Sequence, residues 1–156
     1  MKHYLIIFLF LLLACNKEKI KYDLPCTNPT NELLATSALI IGKWEWVSEL
    51  YRVPFTNEYI LKTPQTEGYT RQLNVINDKL TFYKSHVFDQ SYRYNFVVES
   101  SLTNYPLDSL NVLVFNDLNT GIRTNYTHYK ICNDTLILNF QVRSETKGIE
   151  RWAKVK

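Results

Sequence analysis

Glycine and proline are scarce in this chain, four and five residues among 156. Such a composition excludes a collagen-like repeat and a low-complexity chain. Histidine is nearly absent too. Beyond the first segment only His86 and His128 occur, and neither has a metal-ligand spacing such as His-x-x-x-His. His86 reads as a hairpin residue and His128 as a strand-surface residue. The chain lacks a Gly-x-Ser-x-Gly element, a phosphate-cradling glycine loop and an obvious nucleophile setting. No catalytic residue, metal site or cofactor is therefore expected, and the chain reads as a non-enzyme. A formal charge of only +3 without a basic run excludes a nucleic-acid footprint. No apolar run reaches the roughly 20 residues that a membrane-spanning helix needs. What the chain has in quantity is aromatic: 14% of residues, eleven of them tyrosine, a composition that favours strands.

The first residues carry an address. Met1-Lys2-His3 is positively charged, Leu5 to Leu13 is a continuous apolar run, and small Ala14 follows. A charged start, a short apolar middle and a small residue make a secretory signal peptide, here residues 1–14. Leu12-Leu13-Ala14-Cys15 resembles the lipobox of bacterial lipoproteins, with Leu13 standing where a small residue is usual. The resemblance implies that Cys15 becomes the first mature residue and carries acyl chains. One chain anchors marginally and two or more anchor durably, so membrane attachment through Cys15 is expected. The expected address is the Gram-negative cell envelope, at the outer membrane, on its periplasmic or surface face. Asn16-Lys17-Glu18 has a faint likeness to surface-export signals of some such lipoproteins.

Residues 15–28 are polar, contain a proline and show no periodicity, which suits a tether. Residues 29–156 are then one domain, monomeric by expectation. Asn28-Pro29 has the form of a helix start, N-cap followed by proline at the first position, and the helix should end near Ile40. After Gly42 the apolar period becomes two. Its clearest case is Val87 to Val98, where Phe88, Gln90, Tyr92, Tyr94, Phe96 and Val98 share one face. Eight strands are expected, at about 43–53, 69–76, 79–84, 87–98, 110–115, 123–131, 135–142 and 149–155. Short turn signals separate most of them, among them Asn77-Asp78, Lys84-Ser85 and Asn133-Asp134. Consecutive strands with short turns predict an all-β fold, an eight-stranded up-and-down antiparallel barrel with a short N-terminal helix; a sandwich is the alternative.

Gly42-Lys43-Trp44 at the first strand, Lys62-Thr63-Pro64 in the following loop and Arg151 with a lysine ending in the last strand resemble bacterial lipocalin-like domains. The likeness spans about residues 40–156. It implies that Gly42 and Trp44 open the barrel, that Trp44 plugs its closed end, and that Arg151 packs across Trp44. In strand phase Ile149, Arg151, Ala153 and Val155 share a face, which agrees; the alternative is that Arg151 reaches solvent at the rim. The same phase turns Trp152 outward.

The up-and-down topology puts the helix at the closed end and the loops after the first, third, fifth and seventh strands around the mouth. The loop Pro54 to Gly68 carries Phe55, Tyr59, Ile60 and Leu61, and reads either as a lid or as a loop folded on the barrel wall. Cys132 falls in a closed-end turn, where the tether carrying Cys26 also enters. A Cys26–Cys132 disulfide is therefore expected, which an oxidising compartment permits. It would close a loop of about 105 residues, with up to about 4.7 kcal/mol of stabilisation in the chain-entropy account.

Eight strands enclose room for packed side chains or one small ligand. The expected inward residues are Trp46, Leu80, Phe82, Tyr92, Tyr94, Phe96, Tyr129, Leu136, Leu138 and Phe140. They line a cavity for a small hydrophobic ligand, or they fill the barrel. In the second case the mouth loops would meet an envelope protein or glycan, with outward Trp152 a contact. Asp108-Ser109-Leu110 and Asp134-Thr135-Leu136 resemble an exported-protein O-glycosylation signal, and both also read as turns leading into strands.

Overall fold

A computed structural model describes residues 33–56, 58–100, 109–132, 134–140 and 148–156. The signal segment, Cys15, the tether with Cys26, the proposed helix cap at Asn28-Pro29, and Asp108 lie outside the described residues. Helix α1 is Leu33–Ile40 and β1 is Gly42–Arg52. A short strand β2, Tyr59–Lys62, and one helical turn α2, Pro64–Glu67, follow. Then come β3 Arg71–Ile76, β4 Lys79–Lys84, β5 Val87–Ser100, β6 Ser109–Asn116, β7 Arg123–Cys132, β8 Thr135–Asn139 and β9 Ile149–Lys154. Strands β3 to β9 pair each with the next, β1 pairs with β3, and a β1–β9 ladder closes the barrel. All pairs are antiparallel. This is a closed eight-stranded antiparallel barrel preceded by a short helix, as the alternation predicts.

The region expected to be a lid or a wall-packed loop is neither. Residues 59–62 pair with the far half of β1, from Glu49↔Lys62 to Arg52↔Tyr59, and extend the sheet beyond the barrel. Phe55 at the tip of this hairpin is fully exposed, and Tyr59 and Ile60 are half exposed. Thr63 then caps α2: its side chain accepts from the Thr66 amide, while the Thr66 hydroxyl accepts from the Thr63 amide, a reciprocal capping box.

The closed end explains the Gly-x-Trp opening. A helix leaves its last carbonyls unsatisfied. Here the Trp44 Nε1–H donates to the Ile40 carbonyl at 2.8 Å, and Lys154 Nζ donates to the Leu39 carbonyl at 2.8 Å. A cation at a helix C-terminus is also favoured by the dipole. The Lys154 ammonium stands over the Trp44 ring, 5.2 Å from its centroid. Gly42 sits between helix and strand at φ +132°, and an added Cβ would lie 3.1 Å from Lys154 Cε. The positive φ requires glycine, and a side chain there would also press on Lys154. Trp44, Ile40, Val75, Leu80, Ile131 and Leu136 are wholly buried around this plug.

The expected Arg151–Trp44 contact is overturned. Trp152 and Glu150 are buried, so Arg151 falls on the outer face, opposite Ile137 and Ser48. The cation on Trp44 is Lys154. Trp152, expected outward, is fully buried and directly opposes Trp46 across the closing ladder. A buried acid, Glu150, was the misleading signal: it made the true inner face look polar. Thr135 is also buried, so in the folded barrel it offers no open glycan acceptor. Cys132 pairs with Thr135 across the β7–β8 hairpin at the closed end, the location the disulfide requires; its expected partner Cys26 lies outside the described residues.

Gly42→Ala is expected to destabilise the barrel by about 1–3 kcal/mol through backbone strain. Urea denaturation measures it; an unchanged midpoint would show that neither the φ value nor the Lys154 contact constrains this position.

Candidate functional site

The barrel is filled over its closed half and hollow at its open end. Ile40, Trp44, Trp46, Leu73, Val75, Leu80, Phe82, Leu113, Phe115, Tyr129, Ile131, Leu136, Leu138 and Trp152 form one buried cluster, against which Tyr92, Tyr94, Phe96 and Phe140 pack. Tyr94 and Phe96 meet edge to face, and Phe96 tilts onto Tyr129 at 5.0 Å between centroids. Seven of the ten expected cavity residues are thus filling: Trp46, Leu80, Tyr94, Phe96, Tyr129, Leu136 and Leu138. The other three, Phe82, Tyr92 and Phe140, belong to the top of the same packing and also line a cavity of about 220 Å³. Its remaining lining was not anticipated: Glu49, Arg71, Gln90, Phe115, Asn125, Gly148 and Glu150.

Strand register assembles this site. The contributing residues lie at the open end, late in β1, β4 and β6, early in β3, β5, β7 and β9, or, for Phe140 and Gly148, just after β8 and just before β9. Phe82 opposes Gln90, Phe115 opposes Asn125, and Glu49 opposes Glu150. The rings interlock: Tyr92 stands edge-on to Phe115 at 5.6 Å and to Phe82 at 6.4 Å, and Phe140 stacks on Phe115 at 6.2 Å. The Tyr92 hydroxyl donates to Gln90 Oε1 at 2.7 Å. Burial, helped by the nearby Asp89 charge, raises the Tyr92 pKa above its ordinary 10.0, so this phenol stays a donor at neutral pH.

Glu49 reaches the cavity through a defect in β1. Trp46 opposes Trp152, but Ser48 opposes Arg151, so Val47 is an extra residue in the ladder. A bulge shifts the alternation of faces beyond it. Trp46 points inward before the bulge and Glu49 after it. Two buried atoms flanking Val47, Trp46 Nε1 and Ser48 Oγ, have no hydrogen-bond partner, a cost of about 1–3 kcal/mol each.

Arg71 is the floor of the cavity. Its guanidinium lies 5.5 Å from the Trp46 ring and 5.2 Å from the Trp152 ring. Arg71 Nη1 donates to Glu150 Oε1 at 2.7 Å, and Trp152 Nε1 donates to Glu150 Oε2 at 3.1 Å. Both oxygens of Glu150 are thus used. Glu49 receives less: its Oε2 is 4.0 Å from Arg71 Nη1. Burial first, then the Glu150 charge, raise the Glu49 pKa above its ordinary 4.5; Lys62 and Arg71 act in the opposite sense.

A second groove of about 390 Å³ lies beside β1, β3 and β4, bordered by Lys43, Trp44, Glu45, Gln72, Leu73, Asn74, Tyr83, His86 and Val155. It has two aromatic lining residues, Trp44 and Tyr83, against four in the open-end cavity. No cluster of three or more His, Cys, Asp or Glu that could hold a metal occurs among the described residues. No family model, curated protein or solved structure matches this chain.

Two outcomes test the site's energetics. Arg71→Met and Glu150→Leu each strand a buried charge and are each expected to cost about 3 kcal/mol. The double variant should cost less than the sum, with a coupling of about 1–3 kcal/mol; additive losses in urea denaturation would refute the pairing. Glu49 has the opposite sign. Its native pKa lies above its unfolded value, so its contribution is retained at low pH and lost as pH rises through the raised value. Glu49→Gln should therefore be more stable than the parent at pH 7, the difference closing as pH falls toward 4.5. A destabilised variant at pH 7 would contradict this.

Proposed function

We propose that this chain is a lipid-anchored bacterial envelope protein of lipocalin-like type whose barrel binds one small ligand at its open end. The observation that carries the reading is the cavity itself: about 220 Å³, walled by four aromatic rings and floored by Arg71. Drug-sized ligands occupy pockets of about 300–1,000 Å³, so the ligand here is smaller. The lining also refines its chemistry. Phe82, Tyr92, Phe115 and Phe140 suit an apolar body, while Glu49, Gln90 and Asn125 suit a polar end. The ligand is amphipathic rather than purely hydrophobic. Binding, not catalysis, is the activity in this reading.

The address rests on the sequence: the charged start, the short apolar run and the Leu-Leu-Ala-Cys element ending at Cys15. The lipocalin-like reading is supported by the closed barrel, the preceding helix and the Trp44 plug behind Gly42. The Cys26–Cys132 disulfide belongs to the same proposal, with Cys132 at the closed end.

A second reading, an envelope interaction module, is favoured by a different observation. Phe55, Val87, Phe88 and Ile122 are 99%, 69%, 61% and 67% exposed, all on loops or strand ends around the mouth. Exposed apolar groups gathered in one region mark contact surfaces.

Native mass spectrometry on the intact mature protein separates the two readings. Ligand binding predicts a reproducible extra mass that is lost on denaturation. A clean apoprotein mass from the native envelope would overturn it in favour of the rim. The denatured spectrum should also carry the mass of acyl chains on Cys15, lost in Cys15→Ala, and should fall two hydrogens short if Cys26 and Cys132 are joined.

A further inference from the structure

We propose that the open-end cavity recognises a small organic ammonium ion, with Glu49 as its counter-ion and the rings of Phe82, Tyr92, Phe115 and Phe140 as its cage. This rests on the reading that the cavity holds a ligand, and it names the class.

The charge balance is the first argument. Glu49 and Glu150 face one another across the closing ladder with a single guanidinium between them. Two carboxylates against one arginine leave one negative charge. Glu150 is committed, since Arg71 and Trp152 occupy both of its oxygens. The residual charge therefore resides on Glu49. Other charges acting on Glu49 come from β2 and α2: Lys62 lowers its pKa and Glu67 raises it. The Lys62 ammonium itself stands over the Tyr51 ring at 4.4 Å.

Arg71 is poorly placed to receive an anion. It is hydrogen-bonded to Glu150 and stacked against both indoles. A neutral apolar guest would bury Glu49 further and give it nothing. A hard metal cation wants six to eight oxygen ligands. The Glu49 carboxylate and the side-chain amides of Gln90 and Asn125, beside four rings, do not supply them. An organic ammonium is diffuse and weakly hydrated. It is attracted by ring faces as well as by the carboxylate, most strongly when desolvated.

Geometry fixes the counter-ion. Glu49 packs on Gly148 so closely that an added Cβ there would lie 2.7 Å from both Cγ and Oε1 of Glu49. Glycine at 148 gives the carboxylate its place at the cavity rim. The raised pKa of Glu49 follows from the same enclosure, and an arriving cation offsets it. Binding should then strengthen as pH rises from 4.5 and Glu49 ionises. The groups that modulate this titration are Glu150 on β9, Arg71 on β3, Lys62 on β2 and Glu67 on α2.

The test uses three probes of one shape on the intact protein: choline, its uncharged isostere 3,3-dimethylbutan-1-ol, and the anion 3,3-dimethylbutanoate. Titration calorimetry at pH 7 should show choline binding at least about ten-fold more tightly than the alcohol, with the anion weakest. Glu49→Gln, a variant expected to fold, should abolish the preference for choline over the alcohol. Equal binding of choline and alcohol would overturn the proposal while sparing the ligand-binding reading. So would a preference that survives Glu49→Gln, or an anion that binds best. Failure of all three probes overturns the ammonium class. The ligand-binding reading falls only if native mass spectrometry also finds no bound mass.

Discussion

The guanidinium of Arg71, held between two tryptophans and locked to Glu150, is the constraint on which the rest of the barrel depends. Trp46 and Trp152 are opposed residues of the two strands that close the cylinder. Arg71 reaches them from β3, on the other side of β1. One charged group thus ties three neighbouring strands at a single level. Below that level the interior is packed with side chains. Above it the interior is open. An arginine in this position costs desolvation, which two indole faces and a bidentately used carboxylate offset. Replace the charge by a void and the boundary between core and cavity loses its definition.

The bulge at Val47 depends on that arrangement and makes the site polar. Without the extra residue β1 would keep its alternation, and Glu49 would face the solvent side. With it, Trp46 and Glu49 both serve the interior, one in the core and one at the rim. Two orphaned buried polar atoms flank this irregularity, so the distortion opposes stability locally. Glu49 opposes it as well through its raised pKa. A stretch of chain that is costly in two independent ways, at the edge of a cavity, is where function commonly outweighs stability.

Much of the barrel was legible from period-two alternation and turn residues, because a strand with one buried face writes its geometry into the sequence. Val87 to Val98 and Lys79 to Lys84 are examples, and the two-residue turn between them, Ser85 and His86, adopts positive φ at both positions, as a tight hairpin requires. Strand β2 was missed because four residues with exposed Tyr59 and Ile60 show no inner face. The phase of β9 was misread because its inner face carries an acid and a lysine, Glu150 and Lys154, and Arg71 and Leu39, which they meet, are distant in sequence. The cavity was misplaced for a related reason. Aromatic residues mark the barrel interior but do not say at which height packing stops. That height is set by Arg71, whose inward phase with Leu73 and Val75 was the available signal, and by a bulge that pattern cannot register.

The capping of α1 has a mechanical consequence. Its last two carbonyls are held by Trp44 at the start of β1 and by Lys154 at the end of β9. A pull on the chain ahead of α1 is therefore shared at once between the first and last strands. It passes into β1, which is held by ladders to β3 and β9. Load entering ahead of α1 therefore falls first on the seam that closes the barrel.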